Sequence, residues 1–306
     1  LTTLPTVSLW PALALVLNAF VWGVSWWPLR RLEAVGLHPL WATVLIYLFA
    51  VAAISLARPA AWRELATQPA LWLLVLASGT TNASFNWAVT IGDVVRVVLL
   101  FYLMPLWAVL LARLLLRERF TGSTLLRVAL ALAGALVILW PPGGGMPVPR
   151  SLPEALGLLG GFAFALNNVM LKREAARSEG ARALAMFVGG ALVGAALVAL
   201  LGPGGTVPPL PTLAPGWIGA TLALAACFLA SNLALQYGAT RLPAHTTAVI
   251  MLTEVLFASG TALALGAGTL DMRLGIGGAA IVGAALLAAR QHARGSRPGA
   301  GMSHAA

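Results

Sequence analysis

The chain is a succession of apolar runs, each long enough to cross a bilayer, separated by short stretches of proline, glycine and charge. A helix needs about 20 mostly apolar residues to span the hydrocarbon core. None of the runs alternates apolar and polar residues as a barrel strand would. Inside hydrocarbon every backbone N–H and C=O must be satisfied within the segment, so runs of this kind must form helices and pack on one another. Composition agrees: 9% of residues are charged and 60% hydrophobic, with a mean hydropathy of +0.90. Soluble proteins carry about 25% charged residues, and a 306-residue chain this poor in charge cannot make a water-facing surface.

Ten segments emerge, near 8–31, 39–57, 69–90, 94–116, 122–140, 152–172, 182–202, 215–238, 243–265 and 272–291. The first exceeds the core of a signal peptide and is expected to be retained as a span. The net charge of +10 does not form a patch for nucleic acid, and no such partner is expected. Fourteen of the nineteen Lys and Arg residues gather on one side, among them Arg58, Arg63, Arg117, Arg119, Lys172 and Arg290; Arg30, Arg31, Arg96, Arg150 and Arg273 lie on the other. By the positive-inside bias both termini are expected in the cytoplasm. Cys227 stands alone in an apolar run, which excludes a disulfide framework.

The chain also resembles itself. Residues 87–116 align without gaps on 237–266 at an offset of 150, chiefly by hydropathy, and "FVWGVSWWPLRR" (20–31) aligns on "FAFALNNVMLKR" (162–173) at an offset of 142. Five segments per copy is an odd number, so the second copy enters the membrane inverted. The basic residues Arg117 and Arg119 are replaced at the equivalent outer positions by Ala267 and Thr269. The expected fold is therefore an all-α polytopic membrane protein: ten transmembrane helices as two inverted five-helix repeats. Residues 1–145 form the first, 146–292 the second and 293–306 a cytoplasmic tail. Inverted repeats mark many secondary transporters, whose substrate site lies near the midplane between the copies.

"FVWGVSWWPLRRLEAVGLHPLWATVLIYLFA" (20–50) resembles the opening of an EamA domain, and "LARLLLRERFTGSTLLRVALALAGALVIL" (111–139) resembles its close, with Glu118, Thr121 and Gly134 in the motif positions. In the second copy Gly268 stands where the acid would be. The resemblance is to the ten-span branch of the drug/metabolite transporter superfamily. It implies a central cavity lined by spans 1, 3, 4, 6, 8 and 9, with spans 5 and 10 behind. The Trp-rich first span is most similar to bacterial aromatic amino acid exporters. The resemblance thus implies export of small amphipathic metabolites, aromatic and other hydrophobic amino acids first, with another compact metabolite or a drug-like cation as the alternative.

Polar residues deep in spans should face the bundle interior. Asn82 and Asn232 are equivalent at the offset of 150, as are Asn86 and Gln236, and Thr81 and Ser231. Asn82 and Asn232 suit substrate binding and helix–helix hydrogen bonding equally; Asn86 and Gln236, nearer the span ends, suit the structural role. In span 1, Asn18, Trp22 and Ser25 share a helix face, and Phe164, Asn167 and Asn168 lie at the equivalent level of span 6. Amides and hydroxyls there would hold the polar groups of an amphipathic substrate while the rings stack on its apolar part. Trp10, Trp27, Trp62, Trp72, Trp140 and Trp217 fit an interfacial belt. Tyr102 sits near mid-depth of span 4, where Pro105 removes a backbone donor and should bend the helix, as a hinge or a cavity wall. Glu254 is the one acid deep in any span. It has three readings: a ligand for a substrate amine, a structural carboxylate bonded to neighbouring helices, or a proton-coupling site. Proton coupling and facilitated diffusion are both open. Small residues at Gly275, Ala279 and Gly283, and at Ala129, Ala133 and Val137, are expected to pack spans 5 and 10 together or against a second protomer, in a monomer or a homodimer.

No catalytic constellation is visible. The histidines at 38, 245, 292 and 304 lie at span ends or in the tail, Asp93 and Asp271 lie in loops, and there is no metal cluster or phosphate loop. The chain is expected not to be an enzyme, to need no cofactor or metal, and to have a small-molecule substrate, the lipid bilayer and conceivably protons as its partners.

Overall fold

Proline and small polar residues divide the apolar runs into helices. In the computed structural model, residues 9–116, 122–140, 148–239, 241, 250–251 and 253–295 are described. Among these the chain is all-helical, with no strand. The basic pair Arg117 and Arg119, the motif residues Glu118 and Thr121, the start of the ninth segment at 243–249 and the tail beyond 295 lie outside the described residues, as do the side chains of Pro105 and Gln236.

The first run breaks in two, α1 (Trp10–Val24) and α2 (Trp26–Ala34), joined at Ser25, whose hydroxyl donates to Trp22 O at 2.8 Å. Helix α3 (Pro39–Ala57) starts on a proline, whose missing N–H costs nothing in the first turn. A short α4 (Ala60–Thr67) leads to α5 (Pro69–Ile91). The fourth run is also broken: α6 (Val94–Phe101), capped by Asp93 accepting from Arg96 N at 2.9 Å, is followed by α7 (Met104–Leu116) after a turn at Tyr102–Leu103. Then come α8 (Gly122–Leu139), α9 (Leu152–Arg173), α10 (Glu179–Leu201), α11 (Pro215–Ala239), α12 (Thr253–Ala264) and α13 (Met272–Gly295).

Among the described residues six stretches are long and apolar enough to cross a membrane: Trp10–Ala34, Pro39–Ala57, Val94–Leu115, Leu152–Arg173, Glu179–Leu201 and Pro215–Leu235. Val128–Ile138 and Met272–Ala284 are apolar but shorter. Helix α5 is long enough, but Thr80, Thr81, Asn82, Ser84 and Asn86 lower its hydropathy. The packing accounts for this: α5 lies between α9 and α10 with most of its length buried, so it meets protein where its neighbours meet lipid.

Glycines set how closely the helices approach. Gly79 of α5 and Gly189 of α10 face each other so tightly that a Cβ on either would strike the other helix's backbone. Gly190 receives the ring of Tyr47, seating α3 on α10. Helices α8 and α13 pack together as expected, but the seam differs from the expected stripe. It runs through Gly134, Ile138, Gly277 and Ile281, while Gly275 has open space around it and Ala129, Ala133 and Ala279 are exposed. Once Gly134 and Gly277 let the backbones meet, the helix faces are fixed, and the small residues two positions away turn outward. Trp217 likewise departs from the expected belt: it is 9% exposed and donates to Thr212 O at 3.0 Å. Trp10, Trp27, Trp62, Trp72 and Trp140 are exposed as a belt requires.

The connecting segments meet at two ends. At one, Trp41 donates to Pro208 O at 3.1 Å, and Asp93 accepts from Thr269 N at 2.7 Å and from its hydroxyl at 3.1 Å. There too Arg96 pairs with Glu154 at 2.7 Å, Arg273 donates to Trp140 O at 2.9 Å, and Arg30 donates to the carbonyls of Val89 and Gly92. At the other end, Glu64 on α4 accepts from Ser178 N at 3.1 Å and from its hydroxyl at 2.6 Å.

Candidate functional site

The two broken helices and the polar centre of α5 converge on a cavity of about 110 Å³. Asn18 and Trp22 reach it from α1, Ser78, Thr81 and Asn82 from α5, Phe164 and Asn167 from α9, Asn232 from α11 and Glu254 from α12. Gly23 brings α1 close against the backbone of Glu254, which sets the depth of that carboxylate. Tyr102, at the break between α6 and α7, donates its hydroxyl to Glu254 Oε2 at 3.1 Å, with Met251 O at 3.4 Å. Glu254 is the one charged side chain among the described residues of the cavity lining.

The walls are aromatic. Trp22 stacks on Phe228 with centroids 4.5 Å apart, and Phe101 packs on Phe164 at 5.4 Å and on Phe85 at 4.9 Å. Gly161 lies against the backbone of Phe101, where Pro105 has no N–H to offer that carbonyl.

Of the residues singled out from sequence, Asn18, Trp22, Asn82, Phe164, Asn167, Asn232 and Glu254 come together here, and Tyr102 touches the group through Glu254. Ser25 and Asn168 lie elsewhere. Ser25 is buried at the α1–α2 joint, and Asn168 is exposed, one position round the helix from Asn167. Asn86 is wholly buried and donates to Thr43 at 3.0 Å, a bond between α5 and α3. Spans 2 and 7 also supply lining, through Tyr47 and Phe187, which the resemblance did not imply. Sequence reasoning missed this pair. The signal was Gly189–Gly190 in α10, a gap of the kind into which a neighbouring ring fits.

A second cavity of about 350 Å³ shares Phe187 and Asn232 with the first and extends between α3, α10 and α11 to Arg58 and Glu179.

Bundled apolar helices around a polar, aromatic pocket define a polytopic α-helical membrane protein. Residues 9–140 match the EamA-like transporter family. An uncharacterized transporter of Pseudomonas aeruginosa is 36% identical over 106 residues, 33% of this chain and 36% of the relative. The protein RarD of Salmonella typhi is 36% identical over 126 residues, 39% of this chain and 40% of the relative. The chain thus spans well under half the length of these curated relatives. A solved crystal structure resembles the fold over 94% of this chain and 99% of its own, with a TM-score of 0.55 at 17% identity. The likeness to EamA-like transporters thus rests on residues 9–140 and on parts of these relatives, and the likeness to the solved structure is one of fold.

Proposed function

We propose that the chain is a ten-span secondary transporter of the bacterial inner membrane, built of two inverted five-helix halves with both termini cytoplasmic. It moves small amphipathic metabolites by alternating access. The observation that carries this reading is the cavity itself, where Asn82 and Asn232, equivalent in the two halves, line one pocket together with Glu254 and stacked rings. The helix pairing adds support. Exchanging each span for its counterpart turns α5 on α9 into α11 on α1, and α5 on α10 into α11 on α3; all four pairs are in contact. The connections also fall at the ends that ten crossings require, since Asp93 meets Thr269 and Glu64 meets Ser178.

One end is closed by the Asp93, Arg96 and Arg30 contacts, while the second cavity runs from the pocket toward the Glu64–Ser178 end. With the basic loops cytoplasmic, this is an inward-open arrangement. The breaks at Ser25 and Tyr102–Leu103, the latter next to Pro105, are the hinges. Aromatic and other hydrophobic amino acids are the substrates that the resemblance implies. A compact organic cation is the second reading and the one that the pocket's chemistry favours, with Glu254 as the charge among its described lining residues.

The test is uptake into proteoliposomes of a panel of radiolabelled amino acids and organic cations, with and without a pH gradient. Saturable uptake of one class, stimulated by that solute on the opposite side, is expected. No uptake of any solute by folded protein would remove the transport reading.

A further inference from the structure

The polar groups of the cavity differ in what they leave for a ligand. Asn18 Nδ2 donates to Ser231 O at 2.9 Å and to Ser231 Oγ at 2.7 Å, and Asn82 Nδ2 donates to Ser78 O at 2.8 Å. Both partners include a backbone carbonyl, which only an N–H can satisfy, so the amide orientations are fixed. The Thr81 hydroxyl donates to Ala77 O at 2.8 Å, the Ser78 hydroxyl to Met186 O at 3.1 Å and the Tyr102 hydroxyl to Glu254. These donors are engaged within the protein. Two amide acceptors are not. Asn18 Oδ1 and Asn167 Oδ1 are buried without a hydrogen-bond partner, and Glu254 uses one carboxylate oxygen on Tyr102. Among the described residues no Lys or Arg lines the pocket. Further lining donors, such as the Tyr47 hydroxyl and the Trp22 indole, are neutral.

Resting on the transport reading, we infer that the cavity selects aromatic or apolar amines carrying a single positive charge, and discriminates against their amino acid counterparts. An ammonium group brings three donors and a charge. It can meet Glu254 and the amide oxygens of Asn18 and Asn167, while the rings of Trp22, Phe164 and Phe101 face its apolar body and its charge. An amino acid adds a carboxylate, which needs donors or a cation in a place that offers acceptors and an anion. With neutral donors only, and Glu254 nearby, its charge would be buried beside a like charge with no cation to balance it, which costs more than the extra contacts return.

The experiment compares three probes that share a phenyl ring: 2-phenylethylamine, phenylalanine and phenylacetate. Binding is measured on purified full-length protein by calorimetry, and counterflow in proteoliposomes. We expect the amine to bind at least about tenfold more tightly than the amino acid, as one charge-assisted hydrogen bond warrants, and the acid not to bind. Glu254→Gln should remove the preference and Glu254→Asp retain part of it. Asn167→Leu gives an independent check, with amine affinity expected to fall even where Glu254→Gln does not fold. Equal or tighter binding of phenylalanine, binding of phenylacetate, or binding of none of the three overturns the inference. Uptake of another solute from the wider panel would leave the transport reading standing in each case, whereas absence of all uptake would remove both.

Discussion

Asn82 and Asn86 lie one turn apart on α5, yet one lines the cavity and the other ties two helices. Their hydrogen bonds make this difference measurable. Asn86→Leu removes the bond to Thr43 and should lower stability in detergent by about 1 kcal/mol, leaving substrate affinity per folded molecule unchanged; thermal unfolding and binding on the same sample check it. Asn82→Leu should do the reverse, weakening binding with little change in melting temperature. The amides were legible in sequence as interior residues, because lipid offers them nothing. Their division of labour was not, since it depends on which neighbouring helix stands opposite each one. Asn168 illustrates the same limit: it adjoins Asn167, but the 100° step of a helix carries it to the exposed side.

At the scale of elements, close approach decides tolerance. A Cβ at Gly189 meets the backbone of α5 around Val75, which cannot step aside. Gly189→Ala should therefore cost about 1–3 kcal/mol by overpacking, while Gly275→Ala, with nothing near it, should fall within about 0.5 kcal/mol of wild type. Unfolding midpoints of the two variants make the comparison. Outside the membrane, Ser178 caps α10 and holds Glu64. Ser178→Ala should cost about 1 kcal/mol through the lost cap. The Ser178 hydroxyl keeps the Glu64 carboxyl below its usual range against the opposing effect of burial, helped by the Ser178 N–H and by Arg177 and Arg182. A lowered folded value means this contact contributes above the ordinary carboxylate range and is lost as pH falls through the depressed value. The melting-temperature difference between wild type and Glu64→Gln should accordingly shrink on acidification. Spans of this sort are readable from sequence wherever one face meets lipid; α5 is read instead by its length, because its surroundings are protein.

For the whole molecule, the inverted-repeat reading assigns every connection to a side. In a Cys227→Ala background, Ser151→Cys should react with an impermeant maleimide on intact cells, and Thr67→Cys only after permeabilisation. Labelling of both from outside contradicts the ten-span arrangement, and the opposite pattern inverts it. The sequence by itself determined that the chain is helical and embedded in a membrane, since apolar runs of spanning length with so little charge have no other way to satisfy their backbones. It also marked the interior polar residues, because hydrocarbon penalises them wherever they are placed. Only the tertiary structure decided which of them share a cavity, that Tyr47 and Phe187 join it, and that the amide donors of Asn18 and Asn82 are engaged while Asn18 Oδ1 and Asn167 Oδ1 are open. Those outcomes rest on contacts between residues far apart in the chain, such as Asn18 with Ser231, 213 positions on, and the period of a single helix carries no record of its partner.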